Sequence, residues 1–342
     1  MKNCKRYNNY FIRCMGFGMA AMLISASLFS GCAGIPGGEK ENEKELYADE
    51  QVGDKMADSG QMKEAEGSSA QTGNEKRKAE DSLRESIPAA EIIKTDWSAY
   101  FDGFQGAAVI YDVSARKFFI FNKKTALARR SPCSTFKIIS SLTALENGIV
   151  NLEHSVRKWS GEVFWRESWN KDIDFKEAFR ESCVWYYREV IDETGRELIQ
   201  EELDRLSYGN RDISDWEGRL NTNNNNRALT GFWIESSLKI SPKEQTQVME
   251  RIFGQNSVYS DETKNTLKEV MLLQDEKKTD CNIYGKTGMG VADGTAVDAW
   301  FTGFAEKENG QIYFCVYLGK TDGKEISSAA AREIAVRLVS DY

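Results

Sequence analysis

The chain is poor in histidine and proline: of its 342 residues one is His and four are Pro. The lone His154 excludes any metal site built on several histidines. It also leaves a Ser-His-Asp triad available only with His154 as its member. With four Pro and 27 Gly, a collagen-like or Pro-rich chain is excluded. Positive charge is in deficit, with a formal net charge of −8, so a polyphosphate would be repelled and no nucleic-acid partner is expected. Seven Cys do not amount to a disulfide scaffold in a chain of this length, and no metal is expected. What is present, 41% hydrophobic residues over this length, suffices for one large domain or two modest ones.

Lys2, Lys5, Arg6 and Arg13 make a basic start, and no residue from Cys14 to Gly38 is charged. Met15–Phe29 is apolar and has the length of a signal-peptide core. It ends in Leu28-Phe29-Ser30-Gly31-Cys32, which resembles a bacterial lipobox, although Phe29 stands where Leu is more usual. Residues 1–31 then read as a signal peptide and Cys32 as the lipidated first mature residue. An uncleaved membrane helix is the alternative, because the uncharged run is long enough to span. Both place the remainder outside the cytoplasm, held at the outer face of the cell membrane or released from it. Residues 32–92 read as a disordered polar tether. Up to residue 90 they hold 14 acidic and 8 basic residues with Tyr47 as the one aromatic, too little apolar surface to offset the entropy of ordering.

Residues 93–342 carry the periodicities of a folded domain. Ala107–Tyr111 and Phe118–Phe121 read as strands turning through Ser114–Lys117. A helix follows Ser134, with Ile138, Ile139, Leu142 and Leu145 on one side and Asn147-Gly148 as its stop. Residues 174–206, broken near Gly195, and 242–276 read as helical. Ile283–Val291, Val297–Ala305 and Gln311–Leu318 read as strands, and Ile326–Ser340 as a last helix. Strands at both ends with helices between them predict a mixed α/β fold, an antiparallel β-sheet flanked by helices plus an all-helical lobe.

Five S-x-x-K tetrads occur, starting at Ser114, Ser134, Ser155, Ser168 and Ser236. Only Ser134-Thr135-Phe136-Lys137 opens a strongly apolar helix, where three residues are nearly one turn and put Ser134 and Lys137 on one face. A buried Lys loses much of its preference for charge and can take the Ser proton. The helix start also offers free N–H groups to an oxyanion. Near the end of the chain, Lys286-Thr287-Gly288 on a strand supplies a cation and a hydroxyl for a carboxylate, with no side chain at Gly288 where a substrate must approach. Between the two lies Ser182-Cys183-Val184, whose hydroxyl can relay a proton.

These motifs, in this order, resemble those of the serine β-lactamase and penicillin-binding superfamily. The detail is similar to class D, the oxacillinase type, over residues 93–342: the tetrad at Ser134, S-x-V at Ser182, Tyr208-Gly209-Asn210, Phe232-Trp233-Ile234-Glu235 with Leu238-Lys239-Ile240-Ser241, and Trp300 with Gly303. The resemblance implies a β-lactam substrate, Ser134 as the acylated nucleophile, and the backbone N–H groups of Ser134 and Met289 as the oxyanion hole. It implies no cofactor other than a CO2-derived carbamate on Lys137 as general base, with Trp233 hydrogen-bonded to that carbamate. Val184 and Phe136 would keep the site apolar, Ser182, Lys286 and Thr287 would handle proton relay and substrate contact with Gly288 beside them, and Arg332 would meet the substrate carboxylate. Glu217-Gly218-Arg219-Leu220-Asn221 fits a class A deacylation loop and makes Glu217 a reserve base. Cys133 and Cys183 read as buried apolar residues, and pairing of Cys281 with Cys315 stays open. The implied function is hydrolysis of β-lactam antibiotics. The alternatives are a β-lactam sensor that stays acylated and a cell-wall transpeptidase or carboxypeptidase.

Overall fold

The computed structural model describes residues 90–218, 226–273, 281–308 and 310–342. The signal peptide, Cys32 and nearly all of the expected tether therefore lie outside the described residues. Six strands form one sheet: β1 (Glu91–Lys94), β2 (Gly106–Asp112), β3 (Lys117–Phe121), β4 (Asn282–Ala292), β5 (Thr295–Lys307) and β6 (Gly310–Gly319). Their order is β1-β3-β2-β6-β5-β4, antiparallel throughout except for the β1/β3 pair. Strand β1 begins inside the segment assigned to the tether, so the folded part starts by Glu91. Its four residues, mostly exposed at a sheet edge, are too few to show a period.

Seven helices position the site: α1 (Lys137–Glu146), α2 (Phe175–Arg180), α3 (Val184–Thr194), α4 (Arg196–Arg205), α5 (Pro242–Phe253), α6 (Asp261–Met271) and α7 (Ser328–Asp341). The stretch 174–206 is broken twice rather than once. Ser182 adopts a left-handed φ of 57° between α2 and α3, and Gly195 a φ of 84° between α3 and α4. The central strands are buried on both faces because successive side chains alternate between two cores. One face sends Ile283, Phe301, Phe314 and Val316 against Ile334, Ala335 and Leu338 of α7. The other sends Tyr284, Phe304 and Tyr313 into a larger core shared with α5 and the helical lobe. Helix α1 runs through that core with every residue from Lys137 to Ala144 buried. Its buried hydroxyls are matched, Ser140 and Thr143 donating to backbone carbonyls one turn back and Ser141 meeting Tyr187 Oη. Helix α5 starts sharply: Ser241 and Glu244 form a capping box and Pro242 takes the first helical position.

Candidate active site

Ser134 lies in a 3-10 turn, Cys133–Phe136, that leads directly into α1. The turn is tied down from several sides. Cys133 N–H donates to Trp233 O at 2.9 Å. Thr135 Oγ1 donates to Pro132 O at 2.7 Å and accepts from Gln245 Nε2 of α5 at 2.9 Å. Cys133 itself is left-handed, φ 49°, a conformation that costs a non-glycine residue about 1 kcal/mol and is retained here by these ties. Lys137, 1% exposed, brings Nζ to 3.0 Å from Ser134 Oγ. Burial pulls its amine down to about 8, against the opposing influence of the nearby Cys183 and Cys133. The other four tetrads make no such pair. Ser114 and Ser236 donate to Asp112 and Asp215, Ser168 donates to Glu181, and Ser155 donates to a backbone carbonyl.

Lys286 on β4 is likewise buried, and Nζ donates to Ser182 Oγ at 3.1 Å and Thr287 O at 3.2 Å. Burial holds it well below the ordinary lysine range, and repulsion from Lys137 and Arg166 adds to the effect. The two motif pairs, Ser134 with Lys137 and Ser182 with Lys286, thus belong to one site. Val184, the first residue of α3, is partly buried against the lobe core. Gly288 lies where β4 meets the Ser134 turn. A Cβ there would stand 3.0 Å from Pro132 O and 3.2 Å from Thr135 N, so a side chain would push the strand, and the half-exposed Met289 after it, a few tenths of an ångström from the turn.

Trp233 is fully buried, its ring stacked on Phe136 at 6.2 Å between centroids, and its Nε1–H meets no acceptor among the described residues. Its loop is held by Asn210, which donates to Ser237 O and accepts from Lys239 N–H, each at 2.8 Å. That clamp accounts for Tyr208-Gly209-Asn210. At Gly209 a Cβ would fall 1.9 Å from Lys239 O, while Tyr208 packs edge-on against Phe136. Glu235 has a physical role to which no sequence argument pointed: its Oε1 accepts from the Cys133 thiol at 3.1 Å, joining the Trp233 loop to the nucleophile turn. Its place in the F-W-x-E segment was the available signal.

Two candidates stand apart. Glu217 pairs with Arg227 at 2.7 Å, and Arg227 also holds Asp192. No hydrogen bond links Glu217 to Ser134 or Lys137, and residues 219–221 of its motif lie outside the described ones. His154 is exposed in a short 3-10 turn, so the Ser134 hydroxyl meets an amine and not an imidazole. Arg332 of α7 is exposed and shares the wall of a cavity of about 380 Å³ with Lys286 and Thr287.

Residues 105–340 match the family model of the penicillin-binding protein transpeptidase domain. The chain belongs to that family. Among its relatives, the regulatory protein BlaR1 of Staphylococcus aureus is 31% identical over 246 residues, 70% of this chain and 40% of that protein. The chain thus matches about two-fifths of the BlaR1 length. The β-lactamase OXA-1 of Escherichia coli is 34% identical over 260 residues, 75% of this chain and 91% of the enzyme. Of solved structures, a class D β-lactamase from Bacillus subtilis superposes with TM-score 0.62 at 30% identity, covering 72% of this chain and 95% of its own. The C-terminal domain of the Bacillus licheniformis BlaR penicillin-receptor gives 0.64 at 27% identity, covering 75% and 98%. The mixed α/β architecture read from the periodicities is therefore that of the class D enzymes and of the BlaR receptor domain. This transpeptidase-type domain has relatives that are enzymes and relatives that are regulators.

Proposed function

We propose that the domain forms an ester between Ser134 and a β-lactam and hydrolyses it, conferring resistance to such antibiotics. The observation that carries this reading is the buried Lys137 amine, held towards neutrality, 3.0 Å from the Ser134 hydroxyl. As Oγ attacks the lactam carbonyl its proton passes to the base at Lys137. The C–N bond then breaks, and the departing nitrogen takes a proton through Ser182 and Lys286. The backbone N–H groups of Ser134 and Met289 hold the oxyanion, and one such donor contributes about 3 kcal/mol in enzymes of this kind.

A carbamate formed from CO2 on Lys137 would supply a carboxylate base for both the hydroxyl and the deacylating water. The residues suit it. Lys137 is buried and its amine is pulled down to about 8, the buried Phe136 and partly buried Val184 supply apolar surroundings, and the buried Trp233 Nε1–H has no other acceptor among the described residues. On the same reading the domain is exported, lipidated on Cys32 and tethered to the outer face of the membrane.

Thr287 and Arg332 would grip the substrate carboxylate. Arg332→Ala should raise KM about tenfold or more while leaving kcat within a few-fold, because a charge-assisted pair to a ground-state carboxylate is lost. An unchanged KM in steady-state assays removes Arg332 from the site.

The BlaR relatives favour one second reading, a receptor that stays acylated. Intact-protein mass spectrometry after mixing with a penicillin separates the two. The hydrolase gains the penicillin mass and loses it within minutes as product accumulates; an adduct that persists for hours without turnover overturns the hydrolase reading in favour of the receptor.

A further inference from the structure

We propose that Arg180, in the same cavity as the Arg332 that grips the ring carboxylate, reads a second anionic group on the substrate, so that the domain prefers β-lactams carrying a negative substituent beside that carboxylate. This rests on the acyl-serine reading above. The two guanidinium-bearing residues line the same cavity, Arg180 from the end of α2 and Arg332 from α7, and Lys286 and Thr287 of β4 line it as well. The other charged residues there already have partners. Lys176 Nζ is 2.6 Å from Glu269 Oε1 of α6. Lys286 donates to Ser182 and Thr287. Arg180 and Arg332 are exposed, and neither has an ion pair among the described residues. One carboxylate fits one guanidinium fork. Two guanidinium groups in one cavity, neither ion-paired among the described residues, exceed what the single ring carboxylate of a simple penicillin or cephem neutralises.

The position of the cavity fixes where that anion sits on the drug. Ser134, Tyr208 and Trp233 do not line it, whereas Thr287 does. The extra group therefore belongs on the carboxylate side of the ring rather than on the acylamino side chain. The chemical class is a cephem whose C3 substituent, one carbon from the ring carboxylate, ends in a carboxylate.

The test uses two cephems identical except at the end of the C3 substituent, one a carboxylate and the other its primary amide. Acylation of Ser134 is followed by stopped-flow and mass spectrometry. Acylation is common to the hydrolase and the receptor readings, so the outcome does not depend on which holds. In the wild-type protein the acid should acylate about tenfold faster than the amide at low salt, and added salt should compress that ratio. Arg180→Gln should bring the ratio towards one, and Arg180→Lys should keep most of it. A wild-type ratio near one overturns the proposal. So does an unchanged ratio in Arg180→Gln, or equal loss with both substrates, which would mean that Arg180 only helps Arg332 hold the shared ring carboxylate. If neither cephem acylates Ser134, the acyl-serine reading itself fails.

Discussion

Replacing Ser134 by alanine should remove the covalent adduct and lower turnover by about 10,000-fold or more, while the fold stays intact. The turn does not depend on the hydroxyl. Its ties run through the Cys133 and Thr135 backbone and side chains to Trp233, Pro132, Glu235 and Gln245, and the hydroxyl itself is held by Lys137. Losing one oxygen from a half-buried position takes from the Lys137 amine its hydrogen-bond acceptor, at a cost of about 1 to 3 kcal/mol, and disturbs none of those ties. The variant should therefore show the wild-type circular dichroism spectrum with an unfolding midpoint lower by a few degrees, and it should still bind a penicillin reversibly. Two measurements decide it: intact mass after exposure to drug, and peptide mapping of any adduct. An adduct of the same mass on Ser134→Ala, or one mapped in the wild type to Ser114, Ser155, Ser168 or Ser236, removes Ser134 from the centre of the mechanism.

Much of this arrangement is legible in the sequence because it is periodic or local. The spacing of Ser134 and Lys137 puts both on one face of a helix whatever surrounds them, and the observed 3.0 Å contact needs only that a helix start there. The 3-10 character of its first turn changes little, since residues three apart face each other still more closely in that geometry. The long β4, β5 and β6 strands are visible for a similar reason, because their period and length leave no other element. Strand β1 is not visible, being a four-residue edge whose stability comes from parallel pairing with β3 rather than from its own pattern. The clamp of Asn210 on 237–239 and the link from Glu235 to Cys133 are also hidden. Each joins residues 27 and 102 positions apart, and no local rule predicts such a meeting. Backbone conformation is hidden too. Cys133, Ser182 and Glu235 all take a left-handed φ, yet none is a glycine that would announce it. These three lie beside Ser134, Lys286 and Trp233, and they are three of the nine non-glycine residues with a positive φ among the described residues, so the fold around the site carries part of this cost.

Lys137→Met should show that cost directly, by losing activity and gaining stability together. Methionine matches the lysine in length and volume, so the core around Phe136 and Tyr187 need not repack. Without an amine neither the neutral base nor its carbamate can form, and turnover should drop by about 100- to 10,000-fold. Bicarbonate should raise wild-type activity in CO2-depleted acidic buffer, where the amine is mostly protonated, and should do nothing for the variant. Stability moves the other way. An exposed lysine titrates near 10.5, whereas Lys137 is held at about 8 by burial. Below pH 8 both the folded and unfolded chains hold the proton, and the folded state bears the full penalty of a buried charge, about 3 kcal/mol. Between 8 and 10.5 the unfolded chain still holds the proton that the folded chain has released, so wild-type stability rises with pH across that window. Methionine carries no such penalty but forfeits the hydrogen bond to Ser134, so its net gain at pH 7 should be about 1 to 3 kcal/mol, shrinking towards zero or below near pH 10.5. Urea unfolding of both proteins at the two pH values measures it. A variant less stable than wild type at pH 7, or one that keeps its turnover, would mean that the amine at position 137 is a structural cation with a partner of its own rather than a buried base.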